Sequence, residues 1–246
     1  MSSRGPVIEA MWVKICANTN SRDAKLAVEL GADAVGFVFA ESKRQVTVEQ
    51  VAAITHGLPE SVEKIGVFTT GDAEQLVDSA RGAGLTGVQV HREFDPVLVR
   101  QIKLLTGYEF YVIQVIEVPV GGGEESELEL ELKLLAVLQE PAVDAVLLDA
   151  AVKGVSGGTG VAFDWARVAA VVREAYAAAG ARGRALPDLI VAGGLHAENI
   201  GAAIAEFAPW GVDVASGVEA VPGIKDAVRL QGFIENARAA GDKLNK

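Results

Sequence analysis

Short apolar runs alternate along this chain with longer stretches in which apolar and polar residues are mixed. Val13 to Cys16, Ala34 to Phe39 and Ile65 to Phe68 are apolar and bounded by turn-forming residues, which is typical of strands buried on both faces of a parallel sheet. Ser21 to Leu30 and Thr47 to His56 carry apolar residues at helical spacing and are each followed by a glycine. The pattern therefore predicts strand–helix units that repeat along the chain.

The same alternation continues to the end of the chain and predicts eight units in total. Parallel strands joined by helices form right-handed crossovers, and eight units in a chain of this length close most economically into a barrel. The further predicted strands are Gly87 to Val90, Glu109 to Val115, Val146 to Asp149, Leu189 to Ala192 and Val212 to Ala215, and the further predicted helices are Asp72 to Gly82, Asp95 to Leu105, the segment around Leu128 to Leu134, Asp164 to Ala179, Ala197 to Phe207 and Asp226 to Ala239.

The fifth helix is the ambiguous element of this series. Leucines alternate with charged residues from Leu128 to Leu134, which is a strand period as much as a helical one. Ser126 and Glu129 have the spacing of a capping box, as Thr47 and Gln50 do at the second helix. Because leucine and glutamate also favour helix, the segment is predicted to be helical.

The predicted fold class is α/β, as a single (β/α)8 TIM barrel over residues 11–246, with residues 1–10 as an N-terminal extension. A doubly wound sheet is the alternative. It would require a glycine fingerprint directly after the first strand, and Cys16 to Asn20 contains no glycine. A barrel predicts that the chemistry lies at the carboxyl ends of the strands.

Composition narrows the classes of partner. The chain has 246 residues, one cysteine and a net charge of -11, which argues against a broad surface for nucleic acid or anionic membrane. The sequence contains no apolar segment as long as a membrane span and no signal-peptide layout at Met1 to Ala10. We expect a cytoplasmic protein, and a monomer with a dimer as the alternative.

Asp149 ends the sixth predicted strand, and a glycine-rich segment, Gly157 to Gly160, follows before the next predicted helix. A carboxylate is rarely buried without a partner, so the end of a strand beside a cavity is its least costly position. The alternative is that Asp149 only caps a nearby turn. Gly193-Gly194 and Ser216-Gly217 follow strands seven and eight, where barrels commonly bind phosphate through backbone N–H groups, although both could simply be turns.

Three further side chains follow strand ends. Cys16 follows the first strand, on the predicted rim with Asp149; it could act as a base if its surroundings favour the thiolate, or simply be a small buried apolar residue. Arg44 could bind an anionic ligand or be a solvated surface charge. His91 is expected to be a packed, hydrogen-bonded histidine rather than a catalyst.

An ordered set of motifs resembles the phosphoribosylanthranilate isomerase family of tryptophan biosynthesis, in register from about Val13 to Ala237. Any one of the motifs is weak, but the ordered set is highly specific. The motifs are Lys14-Ile15-Cys16, Gly31 to Phe39, Ser42-Lys43-Arg44, Gly66-Val67-Phe68, Val88 to His91, Leu147-Leu148-Asp149, Gly157 to Gly160, Phe163-Asp164-Trp165, Ala192 to Leu195, Glu198-Asn199 and Trp210 to Glu219.

The resemblance implies a cofactor-free Amadori rearrangement of N-(5-phosphoribosyl)anthranilate to 1-(2-carboxyphenylamino)-1-deoxyribulose 5-phosphate, a small phosphorylated substrate. It implies Cys16 as general base, Asp149 as general acid and Arg44 as the partner of the anthranilate carboxylate. The phosphate-binding positions that it implies are Gly158, Thr159, Gly160, Gly193, Gly194, Ser216 and Gly217.

The chain departs from the family pattern at a few positions. Ala17 and Asn18 stand where glycine and an aliphatic residue usually follow the cysteine, and Arg92 stands where glycine usually follows His91. Thr69-Thr70 replaces a common valine–asparagine pair. The change beside Cys16 could alter the backbone next to the base, and with it the rate and the substrate range.

Three rival functions fit the sequence less well. A metal-dependent epimerase would require clustered ligands, and the only histidines are His56, His91 and His196, with His56 on a predicted helix far from the rim. A bifunctional sugar isomerase that also serves histidine biosynthesis would have aspartate in place of Cys16. A non-catalytic relative should have lost the acid, the base or Arg44, and all three residue types are present.

Overall fold

Eight parallel strands form a closed barrel in the computed structural model, which describes residues 10–118, 123–149, 165–181, 183 and 185–244. Each strand pairs with the next, and the last pairs with the first from Trp12↔Gly211 to Ile15↔Val214. The strands are β1 (Trp12–Ile15), β2 (Ala34–Val38), β3 (Glu63–Phe68), β4 (Gly87–Val90), β5 (Tyr111–Glu117), β6 (Ala145–Asp149), β7 (Asp188–Ala192) and β8 (Gly211–Val214).

One helix follows each strand, which confirms the predicted (β/α)8 barrel. The boundary between residues 1–10 and the barrel stays a prediction, because residues 1–9 lie outside the described part of the chain. The helices are α1 (Ser21–Glu29), α2 (Val48–Thr55), α3 (Ala73–Gly82), α4 (Pro96–Thr106), α5 (Glu124–Leu138), α6 (Trp165–Gly180), α7 (Ile200–Phe207) and α8 (Ala227–Leu244). None of these helices is both long enough and apolar enough to cross a membrane.

Two predicted helix starts had different outcomes. The capping box at α2 is confirmed, since Thr47 N donates to Gln50 Oε1 at 2.8 Å and Gln50 N donates to Thr47 Oγ1 at 3.3 Å. The segment around Leu128 is helical as predicted, but the capping box expected at Ser126 is wrong. The helix α5 begins earlier, after Gly123, without a side-chain cap. Three glutamates in its first turn stabilise that earlier start through the helix dipole.

A small hairpin between β8 and α8 was not predicted from the sequence. A 3-10 turn at Ser216–Val218 leads into two short antiparallel strands, β9 (Glu219–Val221) and β10 (Ile224–Lys225). The tight turn uses Pro222 and Gly223, a dipeptide that favours turns. The hairpin matters for function because it carries Glu219 and Lys225 to the edge of the barrel mouth.

The barrel interior is packed with aliphatic side chains from several strands, among them Ile65 on β3, Ile113 on β5 and Leu147 on β6. At the amino ends of the strands, the rings of Trp12 and Trp210 stack with centroids 4.9 Å apart and close the barrel. A larger apolar layer lies between the strands and the helices. Among the described residues, apolar packing therefore fills the barrel beneath the mouth at the carboxyl ends of its strands.

Candidate active site

A cavity of about 560 Å³ opens at the carboxyl ends of the barrel strands. Residues from most of the strand ends contribute to its wall, so the barrel geometry brings together side chains that are far apart in the sequence. Its lining includes the predicted residues Cys16, Arg44, Asp149, Gly193, Gly194, Ser216 and Gly217, as well as Gln89, His91, Glu117 and Asp213. Gly158, Thr159 and Gly160 lie outside the described residues.

Cys16 directly follows β1, and its side chain is almost fully buried in the cavity wall. The barrel leaves little room around it, because a Cβ added at Gly36 on β2 would lie 2.7 Å from Cys16 Sγ. Glycine at this point of β2 therefore lets the thiol occupy its place. Cys16 N also donates to Val214 O at 2.8 Å, which ties the residue to the end of β8.

Lys14 lies inside the barrel one layer below Cys16 and is completely buried. Its ammonium group donates to Gln89 Oε1 at 3.0 Å and forms an ion pair with Asp213 Oδ2 at 3.0 Å. Its charge also acts on the nearby Cys16 thiol and opposes the rise of the thiol pKa. A buried cation of this kind is strongly destabilising unless it is paired and hydrogen-bonded, and the contacts with Gln89 and Asp213 meet that requirement.

The charges in this cluster act on one another. Burial raises the pKa of the Cys16 thiol above its ordinary value, while the Lys14 ammonium opposes that rise and the Asp213 carboxylate adds to it. Burial alone would lower the pKa of Lys14, but Asp213 and Cys16 more than offset this, so its pKa is raised. Lys14 therefore stays charged and stabilises a thiolate whenever Cys16 loses its proton.

The backbone after Cys16 has an unusual conformation. Ala17 has φ of 61°, in the left-handed region that glycine adopts without strain. Asn18 is buried, and its Nδ2 donates to Ile15 O at 2.7 Å and to Gly36 O at 3.3 Å. The Asn18 amide thus holds a turn in which alanine occupies a position suited to glycine.

Arg44 reaches the cavity from the loop after β2, and Glu219 on β9 holds its guanidinium group. Arg44 Nε donates to both carboxylate oxygens, at 2.8 and 3.0 Å, and Nη2 donates to Oε2 at 2.6 Å. Glu219 is buried and also accepts from Gly223 N at 3.1 Å. Lys225 Nζ lies 3.5 Å from Glu219 Oε1. Arg44 is therefore held in place by an ion pair rather than being a freely solvated charge.

The loops after β7 and β8 approach each other closely. Gly193 and Gly194 have φ of 91° and 64°, a conformation that favours glycine. A Cβ added at Gly217 would lie 1.9 Å from Leu195 O, so the second loop can pack on the first only because this position is glycine. The glycines of these two loops thus border one side of the cavity, and an anion there could approach their backbone N–H groups closely.

Asp149 ends β6 and lines the same cavity. Its strand neighbour Glu117 ends β5, and His91 Nε2 lies 3.2 Å from Glu117 Oε1. The expectation that His91 is hydrogen-bonded is confirmed. Within the described residues, no group of three or more His, Cys, Asp or Glu side chains has the geometry of a metal site. His56 is exposed directly after α2.

Sequence reasoning missed the charged partners of the predicted residues. Lys14, Gln89 and Asp213 are buried polar residues on β1, β4 and β8, and Glu219 lies on the hairpin that was not predicted. The available signal was a lone polar residue inside an otherwise apolar strand, as in Gly87-Val88-Gln89-Val90 and Gly211-Val212-Asp213-Val214. Such residues are seldom buried without a partner, so they indicate an internal polar cluster.

Comparison with known proteins gives the same family as the sequence motifs. The family model described as N-(5'-phosphoribosyl)anthranilate (PRA) isomerase matches residues 13–236. The N-(5'-phosphoribosyl)anthranilate isomerase of Pelobacter propionicus is 41% identical to the chain, over 92% of this chain and 95% of that protein.

Solved structures agree with this match. The phosphoribosyl anthranilate isomerase of Thermotoga maritima is 35% identical with a TM-score of 0.75, over 93% of this chain and 99% of that one. A phosphoribosyl anthranilate isomerase in complex with reduced 1-(o-carboxyphenylamino)-1-deoxyribulose 5-phosphate is 33% identical with a TM-score of 0.73, over 93% and 99% of the two chains. The match extends over nearly the whole barrel, and the chain belongs to the N-(5'-phosphoribosyl)anthranilate isomerase family.

Proposed function

We propose that the chain isomerises N-(5'-phosphoribosyl)anthranilate to the 1-deoxyribulose phosphate with Asp149 as general acid and Cys16 as general base. Family membership supports the reaction. The observation that carries the residue assignment is that both side chains line one cavity, at the ends of β1 and β6. The two strands are separated by β7 and β8 around the barrel, so the groups can act on different sides of one sugar.

The first step opens the ribose ring. Asp149 in its protonated form gives a proton to the ring oxygen as the C1–O bond breaks. The lone pair of the anthranilate nitrogen forms the C1=N bond, so the leaving oxygen departs as a neutral hydroxyl group. General acid catalysis of such a step contributes roughly 10² to 10⁴ in rate.

The second step moves the oxidation level from C1 to C2. The Cys16 thiolate takes the proton from C2, the C–H electron pair forms a C1=C2 bond, and the C1=N π pair returns to nitrogen. The resulting enol then loses its hydroxyl proton as C2 becomes a carbonyl, and C1 gains a proton. C1 is reduced as C2 is oxidised, so the reaction balances without a cofactor.

The charge cluster below Cys16 explains how a buried thiol can serve as the base. Burial raises the pKa of Cys16, which by itself disfavours the thiolate. The nearby Lys14 ammonium, which opposes the rise of this pKa, offsets part of that cost at the moment when the negative charge forms. Lys14 therefore acts through Cys16 and is a positioning residue.

Arg44 is the proposed partner of the anthranilate carboxylate. Its bonds to Glu219 use the Nε and Nη2 edge of the guanidinium group, and the donors on Nη1 can bind the substrate. Glu219 balances the charge of Arg44, so we expect recognition to depend on directed hydrogen bonds. An ion pair that holds the guanidinium rigidly also reduces the entropy lost when the substrate binds.

The substrate phosphate is proposed to bind between the loops that contain Gly194 and Gly217, together with the Gly158 to Gly160 segment. Backbone N–H groups at glycine turns suit an anion that approaches closely. A complex with a phosphosugar analogue should place the phosphate there. A phosphate found at another part of the barrel mouth would exclude this site.

The reaction is proposed to proceed without metal or cofactor, and in the cytoplasm, which the single cysteine favours. The expected monomer stays a prediction. The test of the function is turnover of N-(5'-phosphoribosyl)anthranilate by the purified chain in the presence of a chelator. Formation of the deoxyribulose phosphate is expected, and folded protein that gives no product would overturn the proposal.

A further inference from the structure

Asp213 is a charged residue of the cavity wall that the proposed mechanism does not use. It lies on β8, and its side chain is 8% exposed. One carboxylate oxygen, Oδ2, forms the ion pair with Lys14 Nζ at 3.0 Å. The other, Oδ1, is buried and has no hydrogen-bond partner among the described residues.

An unsatisfied carboxylate oxygen in this position is unusual. Buried polar atoms in folded proteins nearly always have a hydrogen-bond partner, and ionised groups are the most costly exception. Since Asp213 lines the cavity, a donor on a bound ligand can supply the partner that the protein itself does not. A sugar hydroxyl group is such a donor.

The position of Asp213 relative to Cys16 indicates which hydroxyl this is. Lys14 on β1 pairs with Asp213 on β8 in the barrel register, and Cys16 N donates to Val214 O, the residue directly after Asp213. Asp213 and Cys16 are therefore neighbours in the same cavity wall. In the proposed mechanism the sulfur approaches the hydrogen on C2. A group beside the sulfur is then close to the other substituent of the same carbon, its hydroxyl.

We propose that Asp213 Oδ1 accepts a hydrogen bond from the C2 hydroxyl of the ring-opened sugar. This inference rests on the proposed function, because it takes Cys16 as the group that faces C2. Lys14 fixes the orientation of the carboxylate, since it holds Oδ2 and leaves Oδ1 for the ligand. The hydrogen bond aligns C2 with the sulfur and selects sugars that carry a hydroxyl group at this carbon.

The test compares two ligands and needs no substitution in its first stage. The probes are reduced 1-(o-carboxyphenylamino)-1-deoxyribulose 5-phosphate, which has a hydroxyl at C2, and the same compound without that hydroxyl. A hydrogen bond to a charged acceptor should make the wild-type chain bind the first about 10- to 100-fold more tightly. In a crystal of the first complex, the C2 oxygen should lie at hydrogen-bonding distance from Asp213 Oδ1.

The second stage repeats both titrations with Asp213→Asn. The amide oxygen is expected to turn to Lys14, so the NH₂ group replaces the acceptor that faces the cavity. Affinity for the hydroxyl compound should fall about 10-fold or more, while affinity for the compound without it stays within about twofold. The ratio of the two affinities separates a direct contact from a structural role, which would weaken both ligands alike.

Asp144→Asn is the matched control. Asp144 Oδ2 also pairs with a buried lysine, Lys103 Nζ, at 2.6 Å, but it lies before β6 at the opposite end of the barrel. This variant should leave both affinities unchanged. Equal binding of the two compounds by the wild-type chain would overturn the inference and leave the proposed function intact, whereas binding of neither would overturn both.

Discussion

The two ends of the barrel interior are filled by different kinds of side chain. At the amino ends, Trp12 and Trp210 stack with Tyr111 nearby in an apolar layer. At the carboxyl ends, Lys14 and Asp213 bury opposite charges beneath the cavity. A buried ion pair stabilises a fold little more than apolar residues of the same size, and often less. The ion pair inside the mouth is therefore explained by chemistry, and the stacked rings inside the closed end by stability.

The largest effect that would sharpen this contrast is expected from Asp149→Asn. The amide cannot deliver a proton to the ring oxygen, so kcat should fall by roughly 10² to 10⁴. The melting temperature of this variant and its affinity for reduced 1-(o-carboxyphenylamino)-1-deoxyribulose 5-phosphate should change little. Asp72→Asn, at the N-cap of α3, removes a carboxylate that lies away from the cavity and should leave kcat unchanged. A wild-type kcat in the Asp149→Asn variant would exclude Asp149 as the general acid.

The opposite behaviour is expected from Trp210→Ala at the closed end. Loss of the stacked ring and of its contacts should lower the free energy of unfolding by roughly 2 to 4 kcal/mol. At a temperature where the variant is folded, kcat and KM should match the wild type. Tyr108→Ala, which removes an aromatic side chain from a residue that is 85% exposed, should not change the unfolding curve. Equal denaturation midpoints for Trp210→Ala and the wild type would show that the stacked rings at the closed end do not stabilise the fold.

Arg44→Ala should raise KM by roughly 10- to 100-fold, because a charge-assisted bond to the substrate carboxylate is lost. Arg100→Ala is a matched control. Arg100 Nε and Nη2 also bind a buried glutamate, Glu140 Oε2, at 3.0 and 2.7 Å, but on α4 outside the barrel. Steady-state kinetics should show a change in KM for the first variant alone. An unchanged KM in Arg44→Ala would remove Arg44 from substrate recognition.

The smallest effect concerns the strained turn beside the base. Ala17→Gly should raise the free energy of unfolding by about 1 kcal/mol, because the backbone angle φ of 61° at Ala17 costs alanine about that much relative to glycine. Ala208→Gly, at φ of 43° after α7, should give a similar gain far from the mouth. Urea titrations measure both. A loss of stability in both variants would show that the left-handed conformation is not strained.

The repeating units were predictable because each strand is buried on both faces and therefore reads as a continuous apolar run. The capping box at Thr47 and Gln50 was also local, and it formed as expected. The start of α5 was not predicted correctly, because charge in the first turn outweighed the capping pattern at Ser126. The hairpin from Glu219 to Lys225 was missed because its strands are too short for periodicity to reveal.

The sequence predicted which residues of the site follow strand ends. It did not predict which of the site residues pair with one another. Cys16 and Asp149 could be placed on one rim because the barrel geometry gathers all strand ends there. The pairing of Arg44 with Glu219 and of Lys14 with Asp213 joins residues far apart along the chain. Such pairs depend on side-chain directions across the closed barrel, which no local pattern in one sequence specifies.

The most direct test of the account is the kcat of Cys16→Ser measured across pH. In the wild type, the pH profile of kcat should include an ionisation above the ordinary pKa of a thiol, because burial raises the pKa of Cys16 and only the thiolate can take the C2 proton. The serine variant should keep its fold and its affinity for reduced 1-(o-carboxyphenylamino)-1-deoxyribulose 5-phosphate, lose that ionisation from the profile, and show a kcat lower by about 10² or more. A serine variant with wild-type kcat and an unchanged pH profile would contradict the assignment of Cys16 as the base.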